Sequence, residues 1–171
     1  MIDLVDLYAL DHEQFDRATH FLYALVRERL DEPDTNISHQ RMPSWEEHMA
    51  FINRHPYRLW YMITEYSVTN PFDYVGYVSA TVRNEIGIIL ARSARGRGIG
   101  PEAVRQFMAM HQPLPADPSE RVGKWLANIN PANARSIGMF KALGFRAHQI
   151  TMIHEPEEES HGKEGGTQTT S

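Results

Sequence analysis

The chain has 171 residues, a length that fits one domain with a substantial core. Hydrophobic content of 42% with 23% charged residues is that of a globular protein, and the absence of cysteine excludes disulfides, a cysteine nucleophile and any thiolate metal site. The net charge of −5 is uneven: residues 155–171 carry −4, whereas residues 83–105 carry +3, a basic island that suits one anionic ligand and is too small for a nucleic-acid surface. No apolar run approaches a membrane span, and Met1-Ile2-Asp3-Leu4 lacks the regions of a signal peptide, so a cytoplasmic protein without a membrane or nucleic-acid partner is expected.

Residues 2–8 predict a first strand. Asp11 caps a helix whose apolar positions, Phe15, Ala18, Leu22, Leu25 and Val26, recur at helical spacing to about Leu30. Residues 31–43 read as a polar loop. Ser44 with Glu47 is a capping-box signal for a short helix carrying Trp45, Met49 and Ile52 and ending near His55-Pro56. Leu59 to Thr69 and Tyr74 to Val82 predict a hairpin turning at residues 70–73. Residues 85–91 form a strand, and a helix follows from Pro101, taken as its first residue, to about His111. The proline-rich stretch 112–118 breaks the chain. Strands are expected at 122–129 and 145–153, with a helix over 132–143 between them. The tail from Glu155 has a disordered composition, so residues 1–154 are expected to be a single domain and 155–171 its acidic extension. The order β-α-α-β-β-β-α-β-α-β predicts an α/β (mixed α+β) fold with one largely antiparallel sheet, and one parallel step from the strand at 85–91 to residues 122–129.

The chemistry concentrates where that strand meets its helix, at Arg95-Gly96-Arg97-Gly98-Ile99-Gly100. Glycines expose backbone N–H groups, a helix N-terminus adds partial positive charge, and Arg92, Arg95 and Arg97 add full charge. Together they predict a phosphate or pyrophosphate site, against the plainer reading of a solvated turn. The loop lacks the Lys-Ser/Thr of a Walker A motif and the G-x-G-x-x-G spacing of a dinucleotide fold. The nine histidines show no metal-ligand spacing, and no metal is expected.

Some thirty residues on comes Ala127-Asn128-Ile129-Asn130-Pro131-Ala132-Asn133-Ala134-Arg135-Ser136, then Phe140 and Leu143-Gly144-Phe145. With these residues the chain resembles the GNAT superfamily of N-acetyltransferases. Arg95, Gly98 and Gly100 match its [Q/R]-x-x-G-x-[G/A] loop. Asn133, Ser136, Phe140, Gly144 and Phe145 match its later N-x-x-[A/S]-x-x-x-[Y/F]-x-x-x-G-F signature. The resemblance covers residues 1–153 and is strongest over 74–146.

The resemblance implies acetyl-CoA as donor and an amine as acceptor. The amides of Arg97, Gly98, Ile99 and Gly100 would hold the pyrophosphate. Backbone near Leu90 and Arg92 would pair with the pantetheine like an added strand, and Arg92 or Arg95 would meet a CoA phosphate. Asn133 would face the pantetheine, and Asn128 would join the donor site or line the acceptor cleft. An alkyl amine, with a pKa of about 10, must lose a proton before it attacks the thioester. Glu85 is the expected base, although a structural role at the strand start is the alternative and a one-residue slip would turn it to the other face. Phe140 stands where many members place a tyrosine acid. It cannot donate, so Ser136, Tyr61, Tyr66, Tyr77 or water would protonate a thiolate whose acid has a pKa of about 8.5.

The run from Ile37 to Ile52 resembles the acceptor-side segment of sugar-nucleotide amine acetyltransferases. Asn128 to Ser136 and Glu85-Ile86-Gly87 resemble ribosomal-protein N-terminal acetyltransferases equally. A small-molecule amine, such as a nucleotide-linked amino sugar, is the expected acceptor. A protein N-terminus, or a catalytically silent CoA-binding module, is the alternative. Exposed sheet edges would permit a homodimer.

Overall fold

The computed structural model describes residues 1–32, 41–66 and 73–152. Most of the polar loop, the hairpin turn and the acidic tail of the sequence reading lie outside them.

Local signals set the helices. Helix α1 (His12–Leu30) begins at Asp11, whose side chain accepts the Gln14 amide while Gln14 accepts the Asp11 amide. Helix α2 (Trp45–Asn53) begins at Ser44 with the same reciprocal arrangement through Glu47. Each box satisfies backbone N–H groups that the first turn leaves without partners. Helix α3 (Ile99–Met110) and helix α4 (Ala134–Ala142) complete the set. Gly98, at φ 77°, precedes α3, so Pro101 is the third helical residue rather than the first. The exchange is harmless, because a first-turn N–H has no intrahelical partner in either place.

Four strands, β1 (Ile2–Asp6), β2 (Leu59–Glu65), β3 (Asp73–Ala80) and β4 (Ile86–Leu90), lie in the order β1-β2-β3-β4, antiparallel throughout. Ile63 faces Gly76 and Thr64 faces Tyr74, leaving Val75 as the extra residue of a bulge. One sheet face packs on α1 and α2 through Leu22, Leu25, Ile52, Trp60 and Met62. The other packs on α3 and α4 through Val78, Ile86, Val104, Phe107 and Phe140. The architecture is the expected helix-flanked, mostly antiparallel sheet.

Two expected strands differ. Residues 122–129 make one parallel bridge, Glu85 with Leu126, instead of a ladder. Gly123 explains this: its φ of 67° is incompatible with extended backbone, and a Cβ there would meet the Ala116 nitrogen at 2.6 Å. The parallel step therefore survives as a single contact, with Ile86 donating to the Leu126 carbonyl at 2.8 Å and Leu126 donating to that of Asn84 at 2.9 Å. Residues 145–152 form no strand; beyond Phe145 every described residue is exposed, so no buried face fixes a register.

Candidate active site

Strand β4 ends at the glycine loop, and its outer edge is open. Ile86 turns its amide to Leu126, and Ala91 turns its amide to the Val75 carbonyl of β3 at 3.0 Å. Backbone groups alternate along a strand, so Ile88 and Leu90 also face away from β3, with no strand beside them among the described residues. The Leu90 carbonyl accepts the Arg95 Nε–H at 3.0 Å. At the end of this edge α3 starts without a side-chain cap, leaving the Ile99 and Gly100 amides aimed out of its N-terminus. Gly96 and Gly98 both hold positive φ, and a Cβ on either would meet nothing within 4 Å. Gly100 is held close, since a Cβ there would lie 3.1 Å from the Met139 sulfur and 3.5 Å from Leu90.

The structure brings three of the five arginines of the basic island, Arg92, Arg95 and Arg97, to carboxylates far away in sequence. Arg92 Nε binds Glu32 at 2.7 Å, and its amide donates to Glu28 at 2.9 Å. Arg95 binds both oxygens of Glu32, at 2.8 and 2.6 Å. Arg97 binds Glu65 at 2.6 Å. Burial alone would raise the Glu32 pKa, but hydrogen bonds from Arg92 and Arg95 outweigh it and hold the carboxyl below its usual value. The end of α1 thus orients two guanidiniums beside the loop.

Glu85 stands at the opposite end of β4, half-buried. Thr81 donates its hydroxyl to one carboxylate oxygen at 2.9 Å, and Asn128 donates its amide to the other at 3.0 Å. Two residues singled out separately in the sequence, Glu85 and Asn128, are therefore neighbours. Asn84, which the sequence reading missed, fixes the turn before them. It is fully buried, has φ 64°, donates to the Leu114 carbonyl at 2.9 Å and accepts the Leu114 amide at 2.7 Å. Its place next to a strand start, in a left-handed conformation that asparagine tolerates, was the available signal.

Asn133 is the N-cap of α4, its side-chain oxygen accepting the amide of half-buried Ser136 at 3.0 Å. Phe140 is 4% exposed and meets Phe145 edge-on at 5.0 Å, inside the cluster beneath α3. Tyr61 and His111 are hydrogen-bonded at 3.0 Å; burial raises the Tyr61 pKa and, with Arg58 nearby, lowers that of His111, so both are neutral at pH 7. Tyr77 sits on the α1 and α2 face, and Tyr66 is exposed. Among the described residues no group of three or more metal-ligating side chains exists, and no helix is long and apolar enough to cross a membrane.

A cavity of about 650 Å³ opens on the α1 and α2 face of the sheet. Its apolar wall includes Leu25, Phe51, Tyr57, Trp60 and Ile89. Its polar wall comprises Arg29, Arg41, Arg54, Glu47 and His48. Burial lowers the His48 pKa, and its Nε2 pairs with the Thr19 carbonyl at 3.0 Å. A shallower depression beside Asp16, Arg17, His20 and Tyr74 touches neither β4 nor the glycine loop.

An open strand edge that runs into an uncapped, glycine-turned helix start is a frame for an extended arm joined to a pyrophosphate, as in acyl-CoA. The family profile described as "Acetyltransferase (GNAT) domain" matches residues 4–146, and the chain belongs to that family of N-acetyltransferases. Its fold is similar to a domain from Methanocaldococcus jannaschii DSM 2661, with TM-score 0.66 and 22% identity over 88% of this chain and 92% of that one. It is also similar to a GNAT superfamily phosphinothricin acetyltransferase from Sinorhizobium meliloti in complex with AcCoA, with TM-score 0.59 and 19% identity over 86% and 76%. A spermidine N-acetyltransferase from Vibrio cholerae gives TM-score 0.51 and 11% identity over 83% and 78%. At these identities the likeness is one of fold. No curated protein matches the sequence.

Proposed function

We propose that the chain transfers the acetyl group of acetyl-CoA to the primary amine of a small molecule, of which a nucleotide-linked amino sugar is one case. The observation that carries the reading is β4 itself. Its open edge has the glycine loop and the uncapped start of α3 at one end and Glu85, oriented by Thr81 and Asn128, at the other.

Glu85 and Leu90 are five residues apart, or about 17 Å along an extended strand, so a donor anchored at Arg97 to Gly100 runs past Leu90 towards Glu85. The pyrophosphate takes the amides of Gly98, Ile99 and Gly100, and Arg92, Arg95 and Arg97 supply countercharge as their carboxylate partners yield. The Leu90 backbone pairs with the pantetheine, and the next outward-facing amide towards Glu85, that of Ile88, polarises the acyl carbonyl. Glu85, through a chain of waters, takes the proton of the attacking amine. The nitrogen bonds to the carbonyl carbon, the carbon–sulfur bond breaks, and the thiolate leaves. Phe140 packs against the donor without giving a proton, while Ser136 or water protonates the sulfur. Asn133 orients the pantetheine with the amide group that capping leaves over, and Asn128 fixes Glu85 beside the acceptor.

Release of free thiol from acetyl-CoA tests the reading, with UDP- and dTDP-linked amino sugars, polyamines and peptides with free N-termini as acceptors. Turnover with a small amine is expected. Turnover with peptides alone overturns the acceptor class, and failure to bind acetyl-CoA overturns the donor.

A further inference from the structure

We infer that the 650 Å³ cavity between α1, α2 and the sheet receives the acceptor, and that this acceptor is an amine that also carries an anionic group, a carboxylate or a phosphate. The inference rests on the acetyltransferase reading above and names the substrate class for it.

Charge is the first argument. Among the described residues, three guanidiniums, Arg29, Arg41 and Arg54, line the cavity against one carboxylate, Glu47. That carboxylate is already engaged. Arg41 grips its two oxygens at 2.7 and 2.9 Å, and the Ser44 amide donates to it at 2.8 Å. It therefore offers little to a ligand ammonium. Arg54, at the C-terminal end of α2, is exposed and makes no ion pair among the described residues. Guanidinium groups in this setting recognise planar or tetrahedral oxyanions through paired N–H donors.

An unsatisfied donor is the second, independent argument. Trp60 forms part of the cavity wall, is 4% exposed, and its indole N–H has no acceptor among the described residues. Buried polar groups almost always have partners, so an orphan in a cavity wall points to an oxygen supplied from outside the chain. The ring is held by Tyr57 edge-on at 4.9 Å and by Tyr77 at 5.6 Å, which fixes where its donor lies.

Position is the third. Ile89 contributes to the same wall, and its neighbours Ile88 and Leu90 turn their backbone to the open edge proposed for the donor. An amine seated against Ile89 meets that edge from the α1 and α2 face, with the anionic group towards the arginines at the end of α1 and at the two ends of α2. A polyamine, with several positive charges and no oxyanion, meets the wrong sign of field.

The test is calorimetric binding to the full chain of amines paired to differ only in the anion. L-phenylalanine against L-phenylalaninamide is the carboxylate arm, and glucosamine 6-phosphate against glucosamine is the phosphate arm. Spermidine is the cationic control, and acetyl-CoA is titrated into the same preparation. At least about tenfold tighter binding of the anionic member in one arm is expected, and the arm that responds identifies the anion. Arg54→Glu, at an exposed site that should not disturb folding, should abolish that preference, and Trp60→Phe should weaken the anionic member while keeping the ring. Equal binding within both pairs, tightest binding of spermidine, or no binding of any probe overturns the inference. If acetyl-CoA binds in those cases, the acetyltransferase reading stands without it; if acetyl-CoA does not bind, that reading falls first.

Discussion

Gly76→Ala should show how tightly β4 is placed. Gly76 faces Leu90 across the β3–β4 pair, beside the bulge at Val75. A Cβ there would lie 2.2 Å from the Ile89 carbonyl oxygen and 2.7 Å from a Leu90 methyl carbon. Neither the strand nor the carbonyl is a flexible side-chain tip, so β4 itself must retreat until the contact exceeds 3.0 Å. Overpacking of this kind costs about 1–3 kcal/mol, and a ladder hydrogen bond strained by the retreat adds about 1 kcal/mol. For a chain of this size the melting temperature should fall by roughly 5–15 °C, read by thermal unfolding at fixed pH. The movement also displaces the Leu90 amide, so acetyl-CoA affinity should drop by about tenfold or more under conditions where the variant remains folded. A melting temperature within about 1 °C of the parent would refute the contact, because even the low end of the overpacking range exceeds that shift.

Other outcomes follow from the same geometry. Glu85→Gln should lower kcat at least about tenfold while leaving acetyl-CoA binding intact, and an unchanged kcat would remove Glu85 as the base. Asn84→Ala should cost about 2–4 kcal/mol in urea unfolding, since it strips both Leu114 backbone groups of their partner and places alanine at positive φ; Asn84→Gly should recover only the backbone part. The Arg41 guanidinium, then the Ser44 amide, hold the Glu47 carboxyl at about 2, below its ordinary 4.5. A depressed carboxylate stabilises the fold above its unfolded pKa, and the contribution is lost as pH falls from about 4.5 through about 2. Glu47→Gln should therefore flatten the melting-temperature profile in that window, and a profile parallel to the parent's would rule the pairing out as a source of acid sensitivity.

Local signals were legible where physics is local. Asp11 and Ser44 announced the starts of α1 and α2, because a capping box is complete within four residues. The glycine loop announced the turn into α3, and Glu85 announced the start of β4. What the sequence hid depends on distant partners. Glu32 and Glu65 pair with Arg95 and Arg97 across 63 and 32 residues, and no spacing rule reaches that far. Residues 122–129 read as a strand from Val122, Trp125 and Ile129, yet Gly123 has a positive φ and no room for a Cβ beside Ala116, and the extended run is broken there. The cavity was equally invisible, since Trp60, Arg54 and Ile89 come from three elements that only the sheet brings together.

Titration of acetyl-CoA into the protein by calorimetry tests the central claim most directly. One site per chain is expected for the parent. In Gly98→Val, binding should be weakened by about tenfold or more, because a β-branched residue resists the φ of 77° that aims the first amides of α3 at the pyrophosphate. No heat of binding with the parent protein, or equal affinity in Gly98→Val, would contradict the account.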